Sequence, residues 1–97
     1  MKRVNRTDFK VFESEALAAG YDEALVREWQ PHAVIEHHAH PFDADAVVTQ
    51  GEMWLTLRGA TRHLGPGEVF EIDRDEPHAE RYGSAGATYW AARRHAL

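Results

Sequence analysis

The segment Glu36-His37-His38-Ala39-His40-Pro41-Phe42-Asp43 indicates both a fold and a chemistry for this chain. In an extended strand, side chains two positions apart leave the same face, so His38 and His40 point together and His37 points the opposite way. Two imidazoles on one face are typical of a pair of metal ligands. The segment therefore predicts a strand that brings His38 and His40 to one metal site and leaves His37 at the surface.

Composition places this segment in one globular domain. The chain has 97 residues, of which 43% are hydrophobic and 28% charged, and its net charge is −5 with histidine neutral. It has no cysteine, so any metal must be held by nitrogen and oxygen atoms, and no basic cluster exceeds Arg93-Arg94. No apolar run reaches the length of a membrane span, and no signal peptide is apparent. We expect a cytoplasmic protein that binds neither nucleic acid nor membranes.

The remaining sequence indicates one short helix followed by strands. Residues 15–19 favour a helix that is capped by Ser14, ended by Gly20 and packed through Phe12 and Leu17. Beyond Gly20, short β-branched and aromatic segments alternate with Gly, Pro and Asp, as antiparallel strands alternate with turns, including turns at Gly51 and at residues 83–86. The predicted strands are 23–29, 33–38, 44–50, 53–57, 60–64, 69–72, 78–82 and 88–93. The pattern predicts an all-β closed or sandwiched sheet, with residues 1–22 as an arm and helix packed on a domain of residues 23–97.

Two separated motifs resemble those of the cupin family. The first is His38-Ala39-His40 with a proline turn, a strand and Gly51 after it, and the second runs from Gly67-Glu68-Val69-Phe70-Glu71-Ile72 to Pro77-His78. Their order and spacing over about residues 34–83 are similar to those of small single-domain cupins of the type-2 kind. The resemblance implies a jelly-roll β-barrel, also called a double-stranded β-helix, whose mouth holds a divalent metal on His38, His40 and His78.

The sequence departs from the family pattern at the motif glutamate, where Ala44 stands. Two carboxylates are candidates for a fourth ligand. Asp43 lies at the turn and could bend inward, and Glu80 lies two residues after His78 and therefore on the same, interior face. Both stay open at this point, and three histidines plus water is the leading site. Asp45, on the strand face opposite Ala44, is expected at the surface.

Imidazole ligands suit several metals, and the sequence does not choose among Zn, Ni, Fe, Mn and Cu. Two functions from different classes are consistent with such a site. One is a metal-dependent enzyme for a small polar or anionic molecule, in which Glu80 or Tyr82 assists proton transfer. Gln50, Trp54 and Tyr82 are the candidates to line its pocket, and core packing is the competing interpretation of Trp54 and Tyr82. The other is a non-catalytic module that binds or senses a small-molecule ligand in the same pocket. The apolar terminal strands further predict a homodimer.

Overall fold

Residues 8–95 of the chain, which the computed structural model describes, form one helix and six strands. Residues 1–7 of the predicted arm and residues 96–97 of the predicted domain lie outside the described residues. The elements are α1 (Phe9–Ala18), β1 (Glu23–Trp29), β2 (Val34–His38), β3 (Asp43–Leu57), β4 (Ala60–Leu64), β5 (Val69–Ile72) and β6 (His78–Arg94).

The two long strands, β3 and β6, run antiparallel along their whole lengths and change neighbours halfway. Residues 43–48 of β3 and 87–94 of β6 pair with β5 and β1, and together these segments form sheet I. Residues 53–57 of β3 and 78–82 of β6 pair with β4 and β2 and form sheet II. The sheets enclose one apolar core, which includes Val48, Met53, Leu55, Leu64 and Tyr82. The all-β jelly-roll prediction is confirmed.

Eight strands were predicted and six are found within residues 8–95, because the glycines expected to reverse the chain bend it instead. The β3–β6 register shifts between Val48 and Gln50 and between Gly51 and Met53. Gly51 and Gly86 have φ angles of 76° and 70°, and a Cβ on Gly51 would lie 2.1 Å from the carbonyl oxygen of Gly86. The two strands therefore cross at glycines, where the backbones approach too closely for a side chain, and continue from one sheet to the other.

Helix α1 begins six residues earlier than predicted, because Asp8 caps it and Ser14 lies inside it. The Asp8 side chain accepts a hydrogen bond from the backbone N–H of Lys10 at 2.9 Å. Phe12 is buried as predicted, but Leu17 is 50% exposed, so the prediction for Leu17 is wrong.

The helix packs on the outer face of sheet I. Phe12 and Ala16 share an apolar cluster with Val47, Trp90 and Ala92, and the Phe12 and Trp90 ring centroids are 5.7 Å apart. Gly20 follows the helix with a φ of 98°, the left-handed conformation expected of it. No helix within residues 8–95 is long and apolar enough to cross a membrane.

Candidate metal centre

Three side chains from neighbouring strands of sheet II converge inside the barrel. His38 ends β2 and lies directly opposite His78, the first residue of β6, and Glu80 follows His78 on the same face. One candidate ligand atom from each of the three lies within 4.8 Å of the other two. The Glu80 Oε2 atom is 3.5 Å from His78 Nε2 and 3.8 Å from His38 Nε2. His78 and Glu80 are buried, whereas the His38 side chain is 38% exposed, so the cluster opens toward solvent on the His38 side.

His40 lies beside this cluster, just beyond the end of β2. Its ring centroid is 4.9 Å from that of His78 and 6.2 Å from that of His38. The His40 ring also stacks on Phe42, with centroids 4.0 Å apart. His37 is exposed. The structure therefore brings His38, His40 and His78 together and leaves His37 out.

Each of the three clustered imidazoles is hydrogen-bonded through Nδ1 to a backbone carbonyl two residues away. The carbonyls belong to Glu36 for His38 at 2.8 Å, Phe42 for His40 at 3.2 Å, and Glu76 for His78 at 3.0 Å. Because a carbonyl oxygen only accepts hydrogen bonds, Nδ1 must donate the proton in each case. A ring that is neutral in this tautomer has a lone pair on Nε2, which is the form that binds a metal. His78 donates to Glu80 only when its Nε2 is protonated, so His78 must lose that proton to bind a metal.

Glu80 is held as an ionised carboxylate. Burial alone would raise its pKa, but hydrogen bonds from His78 and Tyr82 outweigh that effect and lower the pKa. The Tyr82 hydroxyl donates to Glu80 Oε1, and the Tyr82 ring stacks on Trp29 with centroids 5.1 Å apart. Burial raises the pKa of Tyr82, and the negative charge of Glu80 adds to the effect. Tyr82 therefore stays protonated and fixes the position of Glu80.

The histidines differ in their affinity for a proton. Burial acts to lower the pKa of His78, but the hydrogen bond with Glu80 outweighs it and raises the pKa. Burial lowers the pKa of His40, and the neighbouring His78 and His38 lower it further. His40 is therefore the more readily deprotonated of the two, and Glu80 compensates charge on His78.

A cavity of about 90 Å³ adjoins the cluster and separates the two sheets. Sheet II contributes His38, His78 and Glu80, and sheet I contributes a mostly apolar wall that consists of Ala44, Ala46, Phe70, Ile72, Tyr89 and Ala91. Two cations, Arg27 of β1 and Arg93 of β6, also line the cavity. Sequence reasoning missed both arginines, although Leu25-Arg27-Trp29 and Tyr89-Ala91-Arg93 alternate with period two along predicted strands, which is a signal for a shared face.

The two carboxylates proposed as fourth ligands lie in different places. Glu80 belongs to the cluster, whereas Asp43 Oδ1 accepts a 2.8 Å hydrogen bond from the backbone N–H of Arg74 and does not line the cavity. Ala44, at the motif position, lines the sheet I wall. Asp45 is not a surface residue as expected, because it is half-buried and its Oδ2 accepts a hydrogen bond from the Tyr21 hydroxyl at 3.3 Å.

The three residues predicted to line the pocket are not part of this cavity wall. Gln50 is exposed, and Trp54 lies in a separate groove with Arg81, whose Cζ atom is 4.2 Å from the centroid of the Trp54 ring. Tyr82 is buried behind Glu80.

The donor set fits a divalent cation. The two imidazoles and the ionised carboxylate that converge, those of His38, His78 and Glu80, are ligands that zinc, nickel, iron, manganese and copper accept. His40 lies beside this group but is not among the residues whose ligand atoms fall within 4.8 Å of one another. Each of the three imidazoles has the backbone hydrogen bond that orients a metal ligand. The carboxylate also offsets part of the cation's charge in a partly enclosed site. A small jelly-roll barrel with a histidine–carboxylate cluster in its interior is the class of protein that the fold and the site define.

The comparisons with known proteins identify the family. A family model described as a cupin domain matches residues 25–90, and the chain belongs to the cupin family. DMSP lyase DddQ from Ruegeria pomeroyi DSS-3 is similar in structure, with a TM-score of 0.70 and 25% identity over 77% of this chain and 39% of that one. A protein of unknown function from Rhizobium leguminosarum bv. viciae 3841 has a TM-score of 0.71 and 17% identity over 97% of this chain and 96% of its own.

One sequence relative is an uncharacterized HTH-type transcriptional regulator of Haemophilus influenzae. It is 40% identical over 38 residues, which are 39% of this chain and 13% of the regulator. The match therefore concerns a small part of a longer protein.

Proposed function

We propose that this cupin binds one divalent metal through His38, His40, His78 and Glu80, and that it is a metal-dependent enzyme for a small polar or anionic molecule. The observation that carries the proposal is the convergence of ligand atoms of His38, His78 and Glu80 within 4.8 Å at the wall of a cavity. Glu80 supplies from β6 the carboxylate that Ala44 cannot supply from β3.

The chain's own residues have distinct roles in this proposal. A bound divalent cation would supply Lewis-acid chemistry to an oxygen of the ligand. Of the two candidates for proton transfer, Glu80 lines the cavity and can reach a ligand, whereas Tyr82 does not and acts through Glu80. Tyr82 is thus a positioning residue. The apolar wall of sheet I limits water around the ligand.

The likeness to DMSP lyase DddQ supports the enzymatic function, because a similar barrel belongs to a protein described as a lyase. Fold alone does not determine chemistry, so the support concerns the class of protein and not the substrate. The match to an HTH-type transcriptional regulator favours the alternative, a non-catalytic module that binds or senses a small ligand.

Metal analysis of the purified and reconstituted protein tests the metal site. We expect about one equivalent of a divalent metal per chain, lost in His38→Ala and His78→Ala because each removes a ligand from a small set. His37→Ala is the matched control, since His37 is the exposed neighbour, and it should keep the metal. No metal in the wild type, or unchanged metal in His78→Ala, would contradict the proposal and favour a metal-free binding module.

We also propose a homodimer and a cytoplasmic location. Val26 and Val34 are 44% and 59% exposed, and burial against a second copy would remove them from water. Helix α1 already covers part of the outer face of sheet I. Light scattering tests the assembly, and a monomer at micromolar concentration would refute the dimer.

A further inference from the structure

Two arginines face the cavity without a carboxylate partner in the described part of the chain. The Arg27 Cζ atom lies 4.9 Å from the centroid of the Trp29 ring, and the Arg93 Cζ atom lies 4.5 Å from that of Phe42. Neither guanidinium forms an ion pair within residues 8–95. Glu23, which lies opposite Arg93 across the β1–β6 pair, contacts His95 Nε2 at 2.5 Å instead. The two charges are therefore free to bind an anion.

The two arginines lie on neighbouring strands of sheet I, β1 and β6, and at different positions along them. Arg27 pairs with Tyr89 and Arg93 with Glu23 in the β1–β6 register, so the arginines are four register positions apart, with Ala91 between them. Four positions correspond to ~13 Å along a strand. Through their aromatic neighbours the arginines also flank the cluster. Phe42 stacks on His40, and Trp29 stacks on Tyr82, which holds Glu80.

The charges of this cavity do not balance without a ligand. Arg27 and Arg93 bring positive charge, a bound divalent cation would add to it, and Glu80 is the one carboxylate among the described residues of the wall. Unpaired charges in a partly enclosed site are costly, and an anion that reaches both arginines would compensate them. The planar guanidinium fork matches the two oxygens of a carboxylate.

We propose that Arg27 and Arg93 are the anion-binding residues of this cavity and that its ligand is a short-chain dicarboxylate. The inference rests on the proposed metal site, which would bind an oxygen of the same ligand between the arginines. The wall of Ala44, Ala46 and Ala91 suits a short carbon chain, because these small apolar side chains leave space but offer no hydrogen bonds. Inorganic phosphate would leave this apolar surface uncovered and would not span two separated guanidiniums.

Calorimetric titration of the metal-loaded protein tests the proposal, with malonate and succinate as probes and propionate and inorganic phosphate as comparators. We expect a dicarboxylate to bind at least about tenfold more tightly than either comparator, since charged hydrogen bonds contribute that much or more. Arg27→Met and Arg93→Met, which keep the length of the stem, should each weaken dicarboxylate binding at least about tenfold. Arg27→Lys and Arg93→Lys keep the charge without the fork, so their losses should be smaller.

Arg81→Met is the matched control. The Arg81 guanidinium also lies over an aromatic ring, that of Trp54, but in the separate groove, so its removal should leave dicarboxylate binding unchanged. All variants should keep wild-type metal content and unfold cooperatively. Equal binding of propionate, tighter binding of phosphate, or unchanged affinity in both methionine variants would overturn the inference. Loss of metal in an arginine variant would overturn it as well, because the arginine would then support the metal.

Failure of the metal proposal is a separate result. The metal proposal fails if the reconstituted wild-type protein contains no metal, and this result does not depend on the anion titrations. Titration of chelator-treated wild type and Arg27→Met then tests the arginines directly. Arginine-dependent binding of the dicarboxylate, weaker than in the loaded protein, would support the anion site, and its absence would overturn it.

Discussion

At the scale of single residues, Glu80 decides what the cluster can bind. Alternation along a strand was enough to place Glu80 beside His78, because both lie in a short regular part of β6. The same rule puts Arg27 on one face with Leu25 and Trp29, but it does not tell which face is the inner one. That depends on which half of the long strand β6 belongs to which sheet, because β1 pairs with one half only. Local periodicity therefore predicted the histidine–carboxylate side of the cavity and did not identify the cationic side.

Replacement of Glu80 by glutamine tests its charge. Glu80→Gln keeps the size of the side chain and an acceptor for Tyr82, so we expect a loss of metal affinity of at least about 10–100-fold because one anionic ligand is gone. Competition with a chromophoric chelator measures this affinity. Asp43→Asn is the control, because Asp43 accepts a hydrogen bond from the backbone N–H of Arg74 and does not line the cavity. A larger loss in Asp43→Asn than in Glu80→Gln would contradict the assignment.

The stability contributed by Asp45 should depend on pH. Burial raises the pKa of Asp45, and the charge of Glu71 adds to it, so the folded protein holds this proton more tightly than the unfolded chain does. The free energy of unfolding therefore falls as the pH rises from the unfolded pKa through the folded pKa. Asp45→Asn should be more stable than wild type at neutral pH, by less than about 1 kcal/mol because the side chain is only half-buried.

The difference should vanish at a pH below both pKa values. Urea unfolding at neutral and acidic pH measures it, and Glu28→Gln, which replaces an exposed carboxylate of β1, is the control. An Asp45→Asn protein that is less stable than wild type at neutral pH would show that the Tyr21 hydrogen bond to the carboxylate outweighs its burial.

At the scale of secondary structure, the largest departure from expectation is the length of β3 and β6. Gly51 and the glycines near residue 86 are typical turn residues, and only the partner strand shows that they permit a crossing. The helix departs for a similar reason. Serine is a favourable N-cap residue, so Ser14 was expected to begin the helix. In the structure Phe9 and Phe12 contact Trp90, and this tertiary packing extends the helix back to Asp8.

Alanine substitution at two glycines with the same φ separates crowding from backbone strain. Gly51 and Gly59 both have a φ of 76°, but a Cβ at Gly51 meets the Gly86 carbonyl oxygen at 2.1 Å, whereas a Cβ at Gly59 meets nothing within 4 Å. Gly59→Ala should cost about 1 kcal/mol of the free energy of unfolding, from strain alone. Gly51→Ala should cost at least about 3 kcal/mol, because the strands must also move apart. Equal costs in urea unfolding would contradict the crossing.

At the scale of the whole molecule, the class of fold and the family followed from two motifs that together span about half of the chain. The ligand class that we propose did not follow from them, because the proposal depends on how sheet I faces sheet II across the cavity. In the structure, each sheet supplies a different chemistry: ligand atoms on one side, apolar groups and cations on the other.

Metal binding should stabilise the whole domain. A ligand that binds only the folded state at 100 times its dissociation constant adds about 2.7 kcal/mol, which for a chain of this size raises Tm by about 10 °C or more. Thermal unfolding with zinc and with a chelator measures the difference. His78→Ala should lose the shift and His37→Ala should keep it. An identical Tm for loaded and chelator-treated wild type would contradict the site.

The backbone hydrogen bonds of the three imidazoles have a kinetic consequence. Because carbonyls within the same strand or turn already fix the direction of each ring, the rings need not rotate when an ion arrives. Loading should then be governed by how fast the ion sheds its own water. Ions with slow water exchange, such as nickel, should therefore bind more slowly than zinc, although both would bind the same pre-organised set of side chains.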